Sequence, residues 1–190
     1  MLFLIFKDEE VNKFLPWYPM KNNLPICSAV NLEGCGGKHM IVTVDRMNLL
    51  QAAKIHSISW KESHRSFCVL DFIEMHTLER QKEYMKNKMN RGSRFYMLVE
   101  DIPIGVVSVK ECLIEDFYIL PDKQKMGYGT KLLQFAIEQC TGIPTLWILE
   151  NNTNAKRLYH KMGFQETGRT HTITEEIDEI ELSLNSQFVV

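Results

Sequence analysis

With 190 residues, 45% of them hydrophobic, the chain can bury one full core and falls in the size range of a single domain. Its formal charge is only −2, with basic residues scattered along its length, so it lacks the electrostatic footprint that a phosphate backbone selects, and nucleic acid is not the expected partner. The opening MLFLIF gives way to Lys7-Asp8-Glu9-Glu10 too soon for a signal peptide or membrane span, and five scattered cysteines without a CxxC pair read as reduced thiols of a cytoplasmic protein.

Taken in chain order, the composition shifts once, at Gly34-Cys35-Gly36-Gly37, a cluster that marks a flexible joint. It divides residues 1–37, an amino-terminal appendage, from residues 38–190, the expected domain. Cys27, Cys35 and His39 lie close together but match no zinc spacing, so no metal is expected. After the joint, residues 39–44 read as a strand, and Asp45 is placed to cap a helix whose Leu49, Ala52, Ala53, His56 and Trp60 recur at helical spacing. A second helix is expected from Thr77 to about Met89. Strands follow at 95–99, 104–109 and 114–120, with a turn at Asp101-Ile102-Pro103. The remaining elements are a helix over 129–140, a strand over 145–149, a helix over 154–162 and two closing strands around 164–174 and 179–184. Leu132, Leu133, Ala136, Ile137 and Cys140 form one apolar face, so the helix after Gly129 packs on a sheet. The expected class is α/β, a mixed and mostly antiparallel sheet flanked by helices.

The informative segment is Phe117-Tyr118-Ile119-Leu120-Pro121 followed by Gln124-Lys125-Met126-Gly127-Tyr128-Gly129-Thr130. Strand, glycine loop and helix amino terminus aim unpaired N–H groups at one spot, where the helix dipole also favours negative charge. Gly127 and Gly129 permit unusual dihedrals and a close approach of phosphate oxygens. A Walker loop fails, because no glycine stands five residues before Gly129. A dinucleotide fingerprint fails because Leu132 stands where its third glycine belongs. An ordinary glycine-tight strand-to-helix turn is the remaining alternative.

The Q-x-x-G-x-G pattern after that strand resembles the acetyl-CoA signature of the GNAT superfamily of N-acetyltransferases. The block Leu149-Glu150-Asn151-Asn152-Thr153-Asn154-Ala155-Lys156-Arg157-Leu158-Tyr159-His160-Lys161-Met162-Gly163-Phe164 is similar to that family's N-x-x-A-x-x-L-Y-x-x-x-G-F segment. The resemblance covers roughly residues 40–184. It implies that main-chain groups of Phe117 and Ile119 pair with the pantetheine arm of acetyl-CoA, and that main-chain N–H groups of Gln124, Lys125, Met126, Gly127, Tyr128, Gly129 and Thr130 hold its pyrophosphate. It also implies that Asn152 contacts CoA and that Tyr159 protonates the departing thiolate. Lys125 departs from the pattern, since many members carry glycine there, and a cradle made of backbone should lose little by it.

Acetyl transfer to a primary amine by direct attack in a ternary complex needs a free-base nucleophile, although an alkylammonium has a pKa of about 10.4. Glu115 is the candidate base, because it stands two residues before Phe117 on one strand and so shares its face; its bland alternative is a solvated carboxylate. On periodicity alone Tyr159 is a core residue, alongside Ala155, Leu158 and Met162, and only the resemblance makes it an acid. A backbone N–H near Ile119 is the expected oxyanion donor. His56, Trp60 and His64 fall where the family borders its acceptor site, but a histidine there is ordinarily a satisfied or surface residue. Glu175, Glu176, Asp178 and Glu179 crowd the last turn, with Glu62 on the helical side, and would favour a cationic amine. The stretch from Glu9 to Pro19 faintly resembles another branch of the superfamily, and its Phe14, Leu15, Trp17 and Tyr18 suit docking on the domain or on a second copy in a homodimer. The alternative function is a non-catalytic acyl-CoA-binding sensor or interaction module of the same fold.

Overall fold

The computed structural model describes residues 29–31, 39–65, 68–174 and 177–185. Strand β1 (Ala29–Asn31) and strand β2 (Met40–Thr43) are followed by helices α1 (Leu49–His64), α2 (Leu70–Glu74) and α3 (Leu78–Asn90). Three strands come next, β3 (Arg94–Val99), β4 (Pro103–Lys110) and β5 (Leu113–Ile119), then helix α4 (Tyr128–Glu138), strand β6 (Thr145–Leu149) and helix α5 (Thr153–Lys161). The closing hairpin is β7 (Phe164–Thr174) and β8 (Ile177–Leu184). All eight strands form one sheet in the order β1-β2-β3-β4-β5-β6-β8-β7, with every neighbouring pair antiparallel except β5 and β6.

Helices cover both faces, so the central strands are apolar on both sides. Along β3, Phe95 and Met97 point to a core shared with Leu49, Ala52, Ala53 and Ile55 of α1 and Met85 of α3. The intervening Tyr96 and Leu98 point to the opposite core, with Leu132, Leu133 and Ala136 of α4 and Tyr159 of α5. The two-residue period of a strand thus sorts one short sequence between two layers.

Two elements escape the sequence pattern. Helix α2 is too short to display a period, and β1 lies inside the segment read as an appendage, where Ala29 to Asn31 pair with Val42 to Met40 on the outer edge of β2. Most of that appendage, including residues 9–19, lies outside the described residues. Asp45 does not cap α1 directly. Its carboxylate accepts the N–H groups of Met47 and Asn48, at 2.8 and 3.3 Å, in a turn that leads into the helix. The helix expected from Thr77 is α3, and Thr77 caps it, accepting Arg80 N–H at 3.3 Å. Among the described residues no helix is long and apolar enough to cross a membrane.

Candidate functional site

Strands β5 and β6 run parallel, yet they are in register only at Leu113 with Thr145 and Ile114 with Leu146. Beyond Ile114 they part, leaving Glu115–Ile119 of β5 without a β6 neighbour. A cleft of about 970 Å³ opens there, lined by the end of β5, the loop into α4, the start of α5 and the inner turns of α1 and α3. An edge of strand inside a cleft offers N–H and C=O groups to an extended ligand.

At one end of the cleft the chain leaves β5 through a single tight turn at Pro121–Lys123. Lys125 and Gly127 then both take left-handed dihedrals, φ +61° and +87°. For glycine this is free, but for lysine it costs about 1–2 kcal/mol, a strain that the sequence does not announce. The alternation curls successive N–H groups inward. Gly127 is the cap position of α4 and supplies no side-chain bond, and Lys131 N–H is the first to find a helical acceptor, Gly127 O at 3.2 Å. The N–H groups of residues 125–130 have no acceptor among the described residues. Gln124 differs from the expectation. Its N–H turns to Pro121 O at 3.4 Å, and its side-chain amide donates to Ile119 O at 3.1 Å. It braces the cradle instead of lining it with backbone. Tyr128 also supplies more than backbone, since its hydroxyl donates to Glu100 at 2.7 Å and fixes the first turn of α4 to the end of β3.

Asn152 lines the same cleft, and its side chain accepts Ala155 N–H at 3.1 Å, capping α5. Tyr159 is buried, with its ring 6.1 Å from Phe117 and 5.9 Å from Phe164. Burial pushes its phenol well above the usual range, so it holds its proton at any physiological pH. No hydrogen bond links the Tyr159 hydroxyl to another described residue, and Tyr159 lines the cleft. Tyr159 is thus a core side chain that also borders the cleft.

Glu115 does not share a face with Phe117. Ser108 of β4 is opposite Glu115, whereas Val106 is opposite Tyr118, so β5 carries an extra residue between them. The bulge is at Asp116, whose φ is +48°. Because of it Glu115 and Asp116 both turn toward α3, while Phe117 turns toward α5. The Glu115 carboxylate sits 2.8 Å from Lys88 Nζ, with 32% of its side chain exposed.

Asp116 is the residue that strand periodicity conceals. Its side chain is 6% exposed, and it accepts from four donors: His56 Nε2 at 3.2 Å, Tyr84 hydroxyl at 2.9 Å, Lys88 Nζ at 2.7 Å and Ser108 hydroxyl at 2.6 Å. Burial alone would raise its pKa, but the His56 hydrogen bond and the Lys88 charge outweigh it and hold the carboxyl far below the usual range. Burial and Asp116 together push the Tyr84 hydroxyl up. Further along α1, Trp60 is stacked between His64 and His76, with ring centroids 3.9 and 3.3 Å away. Burial drives the His64 imidazole down to about 4 and lowers that of His76 as well. Both rings are therefore neutral at pH 7, and the stack forms an uncharged aromatic wall of the cleft. Glu62 and Glu179 also line it, with burial raising the Glu179 carboxyl, while Glu175 and Glu176 lie outside the described residues.

A strand pair that parts beside an open helix amino terminus is a distinctive arrangement, and the segment that builds it resembles a known family. Residues 91–166 match the family described as acetyltransferase (GNAT) domain. Over that stretch the chain is similar to GNAT acetyltransferases. Over 81 residues, 43% of this chain, it is 32% identical to the peptidyl-lysine N-acetyltransferase YjaB of Salmonella typhimurium. The match spans about half of that relative's length, 52%. In overall fold the chain is similar to PaiA N-acetyltransferase of Thermoplasma acidophilum in complex with coenzyme A, with a TM-score of 0.61 at 18% identity over 76% of this chain and 98% of that one. It is also similar to YncA of Salmonella typhimurium with its cofactor acetyl-CoA, with a TM-score of 0.60 at 17% identity over 78% of this chain and 94% of that one. The family match begins just before β3 and ends in β7, so it contains the whole cradle, the parted strands and α5, whereas α1 and α3 lie before it.

Proposed function

We propose that the chain is an acetyl-CoA-dependent N-acetyltransferase that moves an acetyl group to a primary amine by direct attack in a ternary complex. The observation that carries this reading is the parted β5–β6 edge running directly into the row of open N–H groups at residues 125–130. A ligand with an amide-bearing arm and a pyrophosphate matches both halves, the arm lying along Phe117 and Ile119 and the phosphates against the cradle. Ile119 O is already engaged by Gln124 and, at 3.3 Å, by the Ser59 hydroxyl. The arm would therefore use the Ile119 N–H and the groups of Phe117. Asn152 borders the ligand from the cap of α5. The thioester supplies an activated acetyl group, and the protein's own part is to orient it, polarise its carbonyl with backbone N–H and manage protons.

Tyr159 fits the acid, since a phenol raised by burial keeps its proton until a thiolate departs. Tyr159→Phe should lower kcat about a hundredfold while the Kd for acetyl-CoA stays within twofold, because the hydroxyl acts only in the transition state. Steady-state turnover beside calorimetric titration checks this, and an unchanged kcat in a chemistry-limited assay returns Tyr159 to a packing role.

The acceptor is an amine that can arrive as a cation, because Glu62 and Glu179 line the cleft beside the neutral Trp60 stack. Such carboxylates concentrate protonated amines. The test is thiol release from acetyl-CoA across a panel of polyamines, aminoglycosides, amino acids and lysine-containing peptides. Cationic acceptors should outperform neutral ones, and their KM should rise with salt, which screens exposed charge over about 8–10 Å. Acetyl-CoA binding without release on any amine would favour the non-catalytic module.

A further inference from the structure

We propose that His56 is the base that takes the proton from the acceptor ammonium, held in its working tautomer by Asp116; this rests on the transferase reading above. His56 is 3% exposed and lines the cleft from α1. Its Nε2 faces the Asp116 carboxylate at 3.2 Å. An ionised carboxylate only accepts, so Nε2 carries the hydrogen and Nδ1 carries the lone pair. That Nδ1 is buried and has no hydrogen-bond partner. A buried acceptor left unmet is destabilising, whereas Asp116 is saturated by four donors. A histidine kept only for packing would spend its second nitrogen. Here one nitrogen of a ring that lines the cleft is locked by a fully satisfied carboxylate and the other is unspent, the arrangement of a base with its orienting acid.

Glu115, the other candidate, already has the Lys88 ammonium 2.8 Å away, where an acceptor ammonium would have to sit. The charged and titratable groups that face His56 are Asp116 and Tyr118 from β5, Tyr84 and Lys88 from α3, and His64 and His76 along the α1–α2 wall. Of these, Asp116 alone makes a hydrogen bond to the His56 ring, and Asp116 is the positioning residue.

The protons balance as follows. The ammonium gives one proton to His56 Nδ1, directly or through one water, and the imidazolium later returns it to solvent. The free amine attacks the thioester carbonyl, the C–N bond forms and the C–S bond breaks. The thiolate takes the Tyr159 hydroxyl proton, and the proton shed by the acylated nitrogen replaces it.

His56→Gln keeps an N–H for Asp116 and removes the titrating lone pair. With the acceptor that the amine panel identifies, kcat/KM should fall about 10²–10³-fold and lose its acidic limb, while calorimetry shows the acetyl-CoA Kd unchanged. A retained limb overturns the assignment, and its loss in Glu115→Gln instead gives the role to Glu115. Long-range ¹H–¹⁵N spectra of the wild-type ring decide the point even if His56→Gln does not fold: the expected neutral form carries its hydrogen on Nε2, and a hydrogen on Nδ1 overturns the proposal. A wild-type protein that acetylates no amine overturns the transferase reading and takes this assignment with it, whereas turnover with an unaltered limb sinks this assignment alone.

Discussion

Replacing Gly127 with aspartate should weaken acetyl-CoA binding at least a hundredfold while leaving the protein folded. Steric conflict is not the reason, since a Cβ at Gly127 would meet nothing within 4 Å. Backbone strain is a minor part as well, because aspartate tolerates the left-handed region better than most residues, and φ here is +87°. The effect is electrostatic and competitive. A carboxylate at the cap of α4 would accept the open N–H groups at the start of the helix, the groups assigned to the pyrophosphate, and would add a like charge beside it. At about 4 Å and an effective dielectric near 20, unit charges repel by about 4 kcal/mol, or roughly three powers of ten in Kd. A capping carboxylate also stabilises the helix, so the melting temperature should hold or rise while affinity collapses. Gly127→Asn, of the same shape without the charge, should cost no more than about tenfold. Calorimetric titration of both variants checks the assignment, and near-normal affinity in a folded Gly127→Asp protein refutes the cradle.

The sequence displays the cradle and the order of elements because both rest on local rules. Glycines at 127 and 129 after an aromatic strand signal a helix amino terminus without a side-chain cap, and the apolar spacing of Leu132, Leu133 and Ala136 sets α4 on the sheet. What it conceals depends on one inserted residue and on long-range partners. Strand alternation places Glu115 with Phe117, and the bulge at Asp116 reverses that assignment. A carboxylate between Glu115 and Phe117 in a strand of otherwise apolar character was the available signal, but its partners lie 60, 32, 28 and 8 positions away, on α1, α3 and β4. No local pattern joins them. His56 shows the same limit, since helical spacing places it correctly on the buried face of α1 and is silent on whether its second nitrogen is spent.

Asp116→Ala should destabilise the folded protein by about 3–5 kcal/mol in urea unfolding at neutral pH, the usual cost of stranding one side of a buried charged network. Four donors would lose their acceptor, and the ammonium of Lys88 would keep only Glu115 at 2.8 Å, so the lower half of that range is expected. Alanine also tolerates the left-handed dihedral of the bulge, φ +48°, less well than aspartate. Asp116→Asn, which keeps that tolerance and removes the charge, separates the two contributions. Adding Lys88→Met to Asp116→Ala should recover part of the loss by removing the stranded cation. The pH dependence has a definite sign. The Asp116 carboxyl is depressed in the folded state, where burial is outweighed by the His56 hydrogen bond and the Lys88 charge. Its contribution is therefore complete above the unfolded value of about 3.9 and disappears as pH falls from there toward the folded value. The stability gap between wild type and Asp116→Ala should accordingly stay constant from pH 7 down to about 5 and narrow below about 4. A gap that persists unchanged at pH 3 in a still-folded protein would show that packing, rather than the ionised carboxylate, holds α1 and α3 to the bulge of β5.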